Sequence, residues 1–462
     1  MIISLPTHAH LVGARELSPI KPLPSGEDSE VLKPSVLDLA QQRHLAKELL
    51  RDWKSGVPEA LARLGHHPRP AKVDKRGPRL ADAQTVIARE HGFHRWSNFK
   101  TFLEAQRLIR TAAIRGENIA LDADVRTLHI TCGLGLQKLF AAAGFVGDYL
   151  ALTLPHQDCP VPAGSDLDEL VELDHVSFAQ VSSAYGRQDW REKDRSRIAA
   201  LKTARHYERV CLWFANSPDE STMLVFLLDY FSEPANRPSR LDMVTVRGFP
   251  GIRRFVNLRQ FDVPQIRQVF SWMRLVEPSH IHLAKQVWKA VSDPSPQTLY
   301  EMVEEGMPLI WPWDMAFRHH LLHLPALDDG LSLVERLVLK LLAEEGEMSE
   351  SRLGDRMLEA YCPLPCYWAA WFYAWPRLAA LNPSAISVSN QKTHHQNSLS
   401  KNKILSITAT GLDLLTGRKA IWELNPIERW VGGVRIDYAT DHWCWDRDAD
   451  RPVLRQAKIR FR

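Results

Sequence analysis

Long apolar runs are missing from this 462-residue chain. The longest, Cys366 to Trp375, reaches about half of the roughly 20 residues that a bilayer-spanning helix needs. Cysteine is sparse. Six are scattered over the whole length, which excludes the disulfide framework of small secreted domains. The opening residues, MIISLPTHAHLVG, have no basic segment ahead of an apolar core, so no secretory signal is expected. No collagen-like or coiled-coil repeat is present, and no large excess of one charge: 58 Lys and Arg stand against 55 Asp and Glu. What remains is an ordinary globular composition, 45% hydrophobic and 24% charged. It predicts a soluble, cytoplasmic protein of about two to four domains.

The charge is unevenly spread. Residues 41–115 hold 16 Lys and Arg against 7 Asp and Glu, which is +9. The whole chain carries +3, so the remainder carries −6. The basic residues interleave with acids, as on a solvated helical surface, but a sequence-independent attraction for nucleic acid is an open alternative.

Residues 1–35 are proline-rich and poor in large apolar side chains, and read as a disordered leader. A basic helical module is expected over 36–115. Leu39, Leu45, Leu49, Leu50 and Trp53 recur at near-helical spacing up to Gly56. Ala83, Val86 and Ile87 share a second face that stops at Gly92, and Ser97 is a candidate cap for a third helix burying Phe99, Phe102 and Leu103. After residue 126 the period changes. LHITCG (128–133), DYLALTLP, ERVCLWFA (208–215) and RLDMVTVRG (240–248) are β-prone runs with helical segments between them. Strands alternating with helices predict an α/β domain over 126–265, a Rossmann-like three-layer parallel sheet. A helical connector follows over 266–329. Three helices and then two strands over 330–420 have the order of a winged helix, with a long polar wing at 388–403. Residues 421–462 form a C-terminal segment, in which Trp430, Gly432 and Gly433 predict a turn that packs back on the body.

Two resemblances bear on this layout. AKELL (46–50), PEALARL (58–64) and LADAQTVIAREHGFHRWSNFK (80–100) resemble a helical module that precedes ankyrin repeats in some bacterial proteins, although no repeat follows here. From LHITCG through PVP (160–162), LWF (212–214), FPGIRRF (249–255), RHHLLHLP (318–325), GLSLVER (330–336) and IERWVGGVRI (427–436), the chain resembles the bacterial family called domain of unknown function 1835, with its associated C-terminal domain. The resemblance implies a fold and a cytoplasmic location but no established activity. Members tend to follow the first strand with a Gly-Asp-Ser-like turn and the Leu-Trp-Phe strand with an acidic-histidine stretch. Here Gly133-Leu134-Gly135 and Ala215-Asn216-Ser217-Pro218-Asp219-Glu220 stand instead.

Ligands of open α/β sheets bind at the carboxyl ends of the strands, where the strand order reverses. Gly133, Gly135, Asp158, Asn216, Asp219 and Glu220 fall at such ends and are the candidate ligand-binding residues. Glycines after a strand allow backbone N–H groups to approach an anion, although the third glycine of a dinucleotide fingerprint is replaced by Lys138. Asp219 and Glu220 sit where acids complement a helix dipole, and could also act as a carboxylate pair. His129 reads as a core histidine. His319, His320 and His323 lack the Glu of H-E-x-x-H and read as structural, as do Cys362 and Cys366. The third helix of the winged-helix segment is aromatic and carries its only arginine, Arg377, near its end, so sequence-specific DNA reading is not expected.

The sequence thus predicts a non-catalytic binding or regulatory protein, in which the sheet senses a small anionic ligand and the winged helix contacts a protein. An enzyme acting on a nucleotide or other phosphate compound, and a nucleic-acid binder acting through the basic module, are the alternatives. No motif names a cofactor or a metal, and no membrane association is expected.

Overall fold

A computed structural model describes residues 37–115, 120–155, 159–181, 188–215, 217–252, 255–310, 312–360, 368–390 and 403–457. The expected leader, most of the expected wing, and Cys362 and Cys366 lie outside these residues. No helix among them is long and apolar enough to cross a membrane.

The basic module holds α1 (Leu39–Lys54), α2 (Pro58–Ala62), α3 (Pro70–Arg76), α4 (Leu80–Glu90) and α5 (Trp96–Ile114). Asp38 starts α1 by accepting from the Ala40 and Gln41 amides at 2.8 and 3.0 Å. Gly56, at φ +72°, ends that segment. Ala83, Val86, Ile87, Phe99, Phe102 and Leu103 are all buried, as the spacing predicts. Leu45 is exposed instead, and Ser97 is not a cap. It lies inside the first turn of α5, which begins one residue earlier with Arg95 at the cap position.

The sheet region runs β1 (Thr127–Cys132), α6 (Gln137–Ala142), β2 (Asp148–Leu152), α7 (Leu167–Val181), α8 (Gln188–Lys202), β3 (Arg209–Phe214), α9 (Pro218–Tyr230), β4 (Arg240–Thr245), α10 (Val263–Phe270) and β5 (Arg274–Leu275). The strand order is β2-β1-β3-β4-β5. The first four strands are parallel, and β5 closes one edge antiparallel to β4. The α/β class is therefore as expected, but the sheet is mixed, and its fifth strand falls inside the stretch read as a helical connector.

Alternation along the strands divides the sheet into two apolar faces. Leu128, Ile130, Val210, Leu212 and Phe214 point into one core, and Cys211, Trp213 and Val244 into the other. The second core is continuous with the basic module: Ala46, Val86, Phe99 and Phe102 belong to it. The module is thus one covering layer of the sheet.

The other face is covered by α9 and by the connector helices α11 (Pro278–Val291) and α13 (Trp313–Leu321), which flank α12 (Gln297–Glu305). Next come α14 (Leu333–Glu345), β6 (Met348–Ser349), α15 (Glu350–Ala360), α16 (Trp368–Ala380), β7 (Ile386–Asn390), β8 (Lys403–Ile407) and α17 (Ala409–Leu415). Strands β6, β8 and β7 form a small antiparallel sheet, and this region has its own core around Leu337, Leu341, Leu353 and Leu378. A buried charge cluster ties it to the body. Glu335 accepts from Arg377 Nε at 3.0 Å, and Arg429 lies 3.8 Å away. Burial alone would raise the Glu335 carboxyl, but Arg429 and Arg377 outweigh it and hold the group below its ordinary value.

Two hairpins follow, β9 (Arg429–Val431) with β10 (Val434–Ile436), and β11 (His442–Asp446) with β12 (Arg451–Arg455). The expected turn at Gly432-Gly433 is the first of these. A Cβ on Gly433 would stand 2.0 Å from the Ser292 carbonyl oxygen, and one on Gly432 2.5 Å from that of Val291. The Gly433 amide donates to Val291 O at 2.8 Å, and Val161 donates to Gly432 O at 3.1 Å. Close backbone approach is therefore what these glycines permit. Trp430 is only half-buried. His319 and His320 in α13 and His323 just after it are buried, with His320 against the Gly432 turn, and among the described residues no group of three or more His, Cys, Asp or Glu is placed to hold a metal ion.

His129, in the middle of β1, is pinned from both ring nitrogens. Trp213 Nε1 can only donate, so His129 Nδ1 accepts at 3.0 Å and the ring proton sits on Nε2, facing Asp122 Oδ2 at 2.8 Å. Asp122 also accepts from the Val146 and Gly147 amides, at 2.9 and 2.8 Å. Burial pushes the Asp122 carboxyl up, but these donors outweigh it and hold it at about 2 against an ordinary 3.8. A folded value below the unfolded one adds stability that is present above the unfolded value and lost as pH falls through the folded one. Replacing Asp122 by Ala should cost about 3 kcal/mol in urea denaturation at neutral pH, because it strands a buried donor set. It should also remove the wild-type loss of stability between about pH 4 and pH 2.

Candidate functional site

The strand order reverses between β1 and β3, since β2 lies to one side of β1 and β3 and β4 to the other. At the carboxyl end of β1, the chain turns through Gly133 at φ +75° and Gly135 at φ +99° before α6. Only glycine adopts such angles without strain, so the turn is set by its two glycines. At the end of β3, Ser217 caps α9, accepting from the Glu220 amide at 3.2 Å, and Pro218 occupies the first helical position. Helix α9 therefore starts earlier than its apolar run at 222–231 suggests, and brings Asp219 and Glu220 into its first turn.

These two strand ends converge. The Cys132 thiol lies within electrostatic reach of Glu220, Asp219 and Arg259. A Cβ on Gly135 would meet Arg259 Cδ at 3.7 Å. Tyr149 of β2 closes the side of the site, with its hydroxyl 2.8 Å from Thr131 Oγ1. Gly133, Gly135, Asp219 and Glu220 thus share one place. Asp158 and Asn216 lie outside the described residues.

The backbone donors differ from the expectation in one respect. The Gly133 amide is spent on the Leu152 carbonyl of β2, at 2.6 Å, because that bond continues the parallel ladder past the last residue of β1. The amide of Gly135 makes no hydrogen bond among the described residues. Gly135 is therefore a donor that the turn still offers.

Arg259 was not among the residues picked out from the sequence. It sits in a short 3-10 turn (Leu258–Gln260) that Asn257 caps by accepting from the Arg259 amide at 3.0 Å. Gln260 Oε1 accepts from the Val256 amide at 2.6 Å and fixes the same loop. The loop returns from the end of β4, so the sheet topology carries Arg259 to the reversal point. The only trace in the sequence is a basic run after the fourth strand, Arg253, Arg254 and Arg259, with no spacing to single out one member.

The charges are unusual. Burial raises the Glu220 carboxyl to about 8, against the lowering pull of the Ala215 amide, which donates to Glu220 Oε2, and of Arg259. Glu220 is therefore protonated at neutral pH. Burial also pushes the Cys132 thiol well up, and Glu220 and Asp219 push it further, so no thiolate nucleophile is offered. Cys159 is buried elsewhere, its Sγ 3.6 Å from the Pro160 carbonyl. The arrangement favours holding a negatively charged group near Gly135 and Arg259 over activating a nucleophile.

No family model matches the chain, and no curated protein matches it.

Glu220 makes stability depend on pH in a defined direction. Its folded value of about 8 exceeds the ordinary 4.5, so its contribution is full below the unfolded value and is lost as pH rises through the folded one. Wild-type protein should lose a few kcal/mol between about pH 5 and pH 8.5 through this group, measured by urea denaturation. Glu220→Gln, which keeps the neutral shape, should flatten that slope.

Proposed function

We propose that this chain is a binding protein of the domain of unknown function 1835 kind. In this reading its Rossmann-like sheet domain holds a small anionic ligand, of the phosphate-bearing class, between the ends of β1 and β3. The observation that carries the proposal is the meeting of Arg259, the unbonded Gly135 amide and the N-terminus of α9 at the reversal of strand order. Protonated Glu220 supports it as well, because a neutral acid does not repel an anion and has a proton to donate to it. Binding without efficient turnover follows from the same chemistry. Glu220 is not a base at neutral pH, and Cys132 is not a nucleophile.

The α14–α16 region with its small sheet is proposed to be winged-helix-like and to serve contact with a protein. Arg377 is buried against Glu335, so it is not offered to the edge of a base.

Mass spectrometry of anions released from freshly purified, denatured protein should recover a phosphate-bearing compound, and titration of the emptied protein with that compound should restore binding. Arg259→Gln should weaken binding about 10- to 100-fold, the effect of losing one charged hydrogen bond. The thermal midpoint of Arg259→Gln, measured beside binding, separates a lost ligand contact from lost folding. Gly135→Val should also abolish binding, with some loss of stability from strain at positive φ. Unchanged binding in Arg259→Gln would remove the site assignment.

A further inference from the structure

The module's excess of positive charge is not spread evenly over its surface. Arg51 pairs with Asp52, Arg63 with Glu90, Lys100 with Glu104, and Arg110 reaches Asp262. Those cations are locally neutralised. At the corner formed by α3 and the loops on either side of it, the balance differs. Arg69, Lys72, Lys75 and Arg79 are exposed, and none makes an ion pair among the described residues. Asp82, the nearest acid of α4, is withdrawn from the surface. It is buried, it bonds Arg76 NH2 at 2.6 Å and the Arg79 amide at 2.9 Å, and His67 stands 3.3 Å away.

The same Asp82 makes the corner rigid. It ties the loop at His67, the last turn of α3 at Arg76 and the start of α4 to one buried point. Val73, 1% exposed, anchors the inner face of α3. With that face inward, Lys72 and Lys75 are i, i+3 neighbours on the outward side, and Asp74 falls on the opposite flank. Neighbours at that spacing are about 5–6 Å apart, close enough for each to meet a separate phosphate along a backbone.

We propose that this corner, Arg69, Lys72, Lys75 and Arg79, is a docking surface for the phosphate backbone of duplex DNA, without reading its sequence. A duplex carries one negative charge per roughly 1.7 Å of axis, and counterion release alone drives association with such a cation cluster. Arg69 and Arg79 stand at the caps of α3 and α4 rather than along a helix face that could enter the major groove, and no member of the cluster is an aromatic platform, so neither base recognition nor single-strand stacking is built in. A membrane surface fits less well. Helix α3 is seven residues long, and its one large apolar side chain, Val73, is buried, so the helix has no apolar face to lay among headgroups.

The test uses the full chain and a fluorescent 20-base-pair duplex, with the single strand of the same length and anionic phosphatidylserine vesicles as separate arms. Four phosphate contacts give a slope near −3.6 in log affinity against log salt, so affinity should fall about 100-fold between 50 and 200 mM salt. The triple variant Lys72→Gln, Lys75→Gln, Arg79→Gln should reduce the slope to about −1 and weaken binding at least tenfold at low salt. Its thermal midpoint should not change, since all three side chains are exposed. Lys289→Gln, an exposed cation of α11, should leave binding unaltered. The single strand should bind more weakly than the duplex. Duplex binding that is independent of salt, or untouched by the triple variant, or lost equally in Lys289→Gln, would overturn the proposal, as would vesicle binding without duplex binding.

Discussion

Both faces of the central sheet are apolar, and neither can be left to water. All six residues of β3 are buried, from Arg209 to Phe214, and the strands beside it alternate between two separate cores. That constraint organises the rest of the molecule. Apolar surface is worth about 25 cal/mol per Å² when removed from water, and a sheet this size needs a full layer on each side. One layer comes from the basic module, which precedes the sheet in the chain, together with α6 and α10, which lie between its strands. The other comes largely from residues that follow it, the connector helices and the C-terminal hairpins. Segments that look like separate domains along the sequence are therefore covering layers of one sheet. The buried Asp122–His129–Trp213 contacts work within this frame: they satisfy the polar groups of the one strand that carries a histidine through the middle of an aromatic cluster.

Much of this was legible beforehand because it rests on periodicity. The faces of α1, α4 and α5, the four parallel strands and the three helices of the C-terminal region were all visible in the spacing of apolar residues. Strands β5 and β6 were not, and their reason is plain. Each has two residues, which is shorter than one period of alternation, and their pairing depends on β4 and β8. The joining of the basic module to the sheet was invisible for another reason. An amphipathic helix shows that it covers something, never what it covers. Likewise Ser97 has the right chemistry for a cap but stands one position inside the helix, where the entry of the chain is set by the packing of Trp96 and Phe99.

The candidate site shows the same division. Its glycines and acids could be placed because they abut strand ends, and strand ends are readable. The properties that give the site its character arise from three dimensions. Glu220 is an ordinary carboxyl in sequence and a protonated one in the fold, because α9 buries it beside Asp219. Gly133 reads as a free donor in sequence, yet the ladder claims its amide. Arg259 comes from far along the chain and has no motif at all. A site assembled at a reversal of strand order draws on loops that are neighbours only after the sheet has formed, so its electrostatics cannot be written in any local pattern.

The hairpin at Gly432-Gly433 has a bearing on how the protein is made. Its two bare backbones fit against the end of α11 and against Val161, and Val431, Val434, Ile436 and Trp445 complete the core over one face of the sheet. A ribosome, adding about 5–20 residues per second, delivers these residues long after the strands of the sheet. Until they emerge, the sheet exists with one face only partly roofed and with its parallel strands, slow to pair, already synthesised. The nascent chain thus waits many seconds with apolar surface uncovered, and the closing of that face is gated by residues 429–455. A chain cut short before the hairpin would carry almost every residue of the site and none of the closure that keeps its sheet from sticking to another.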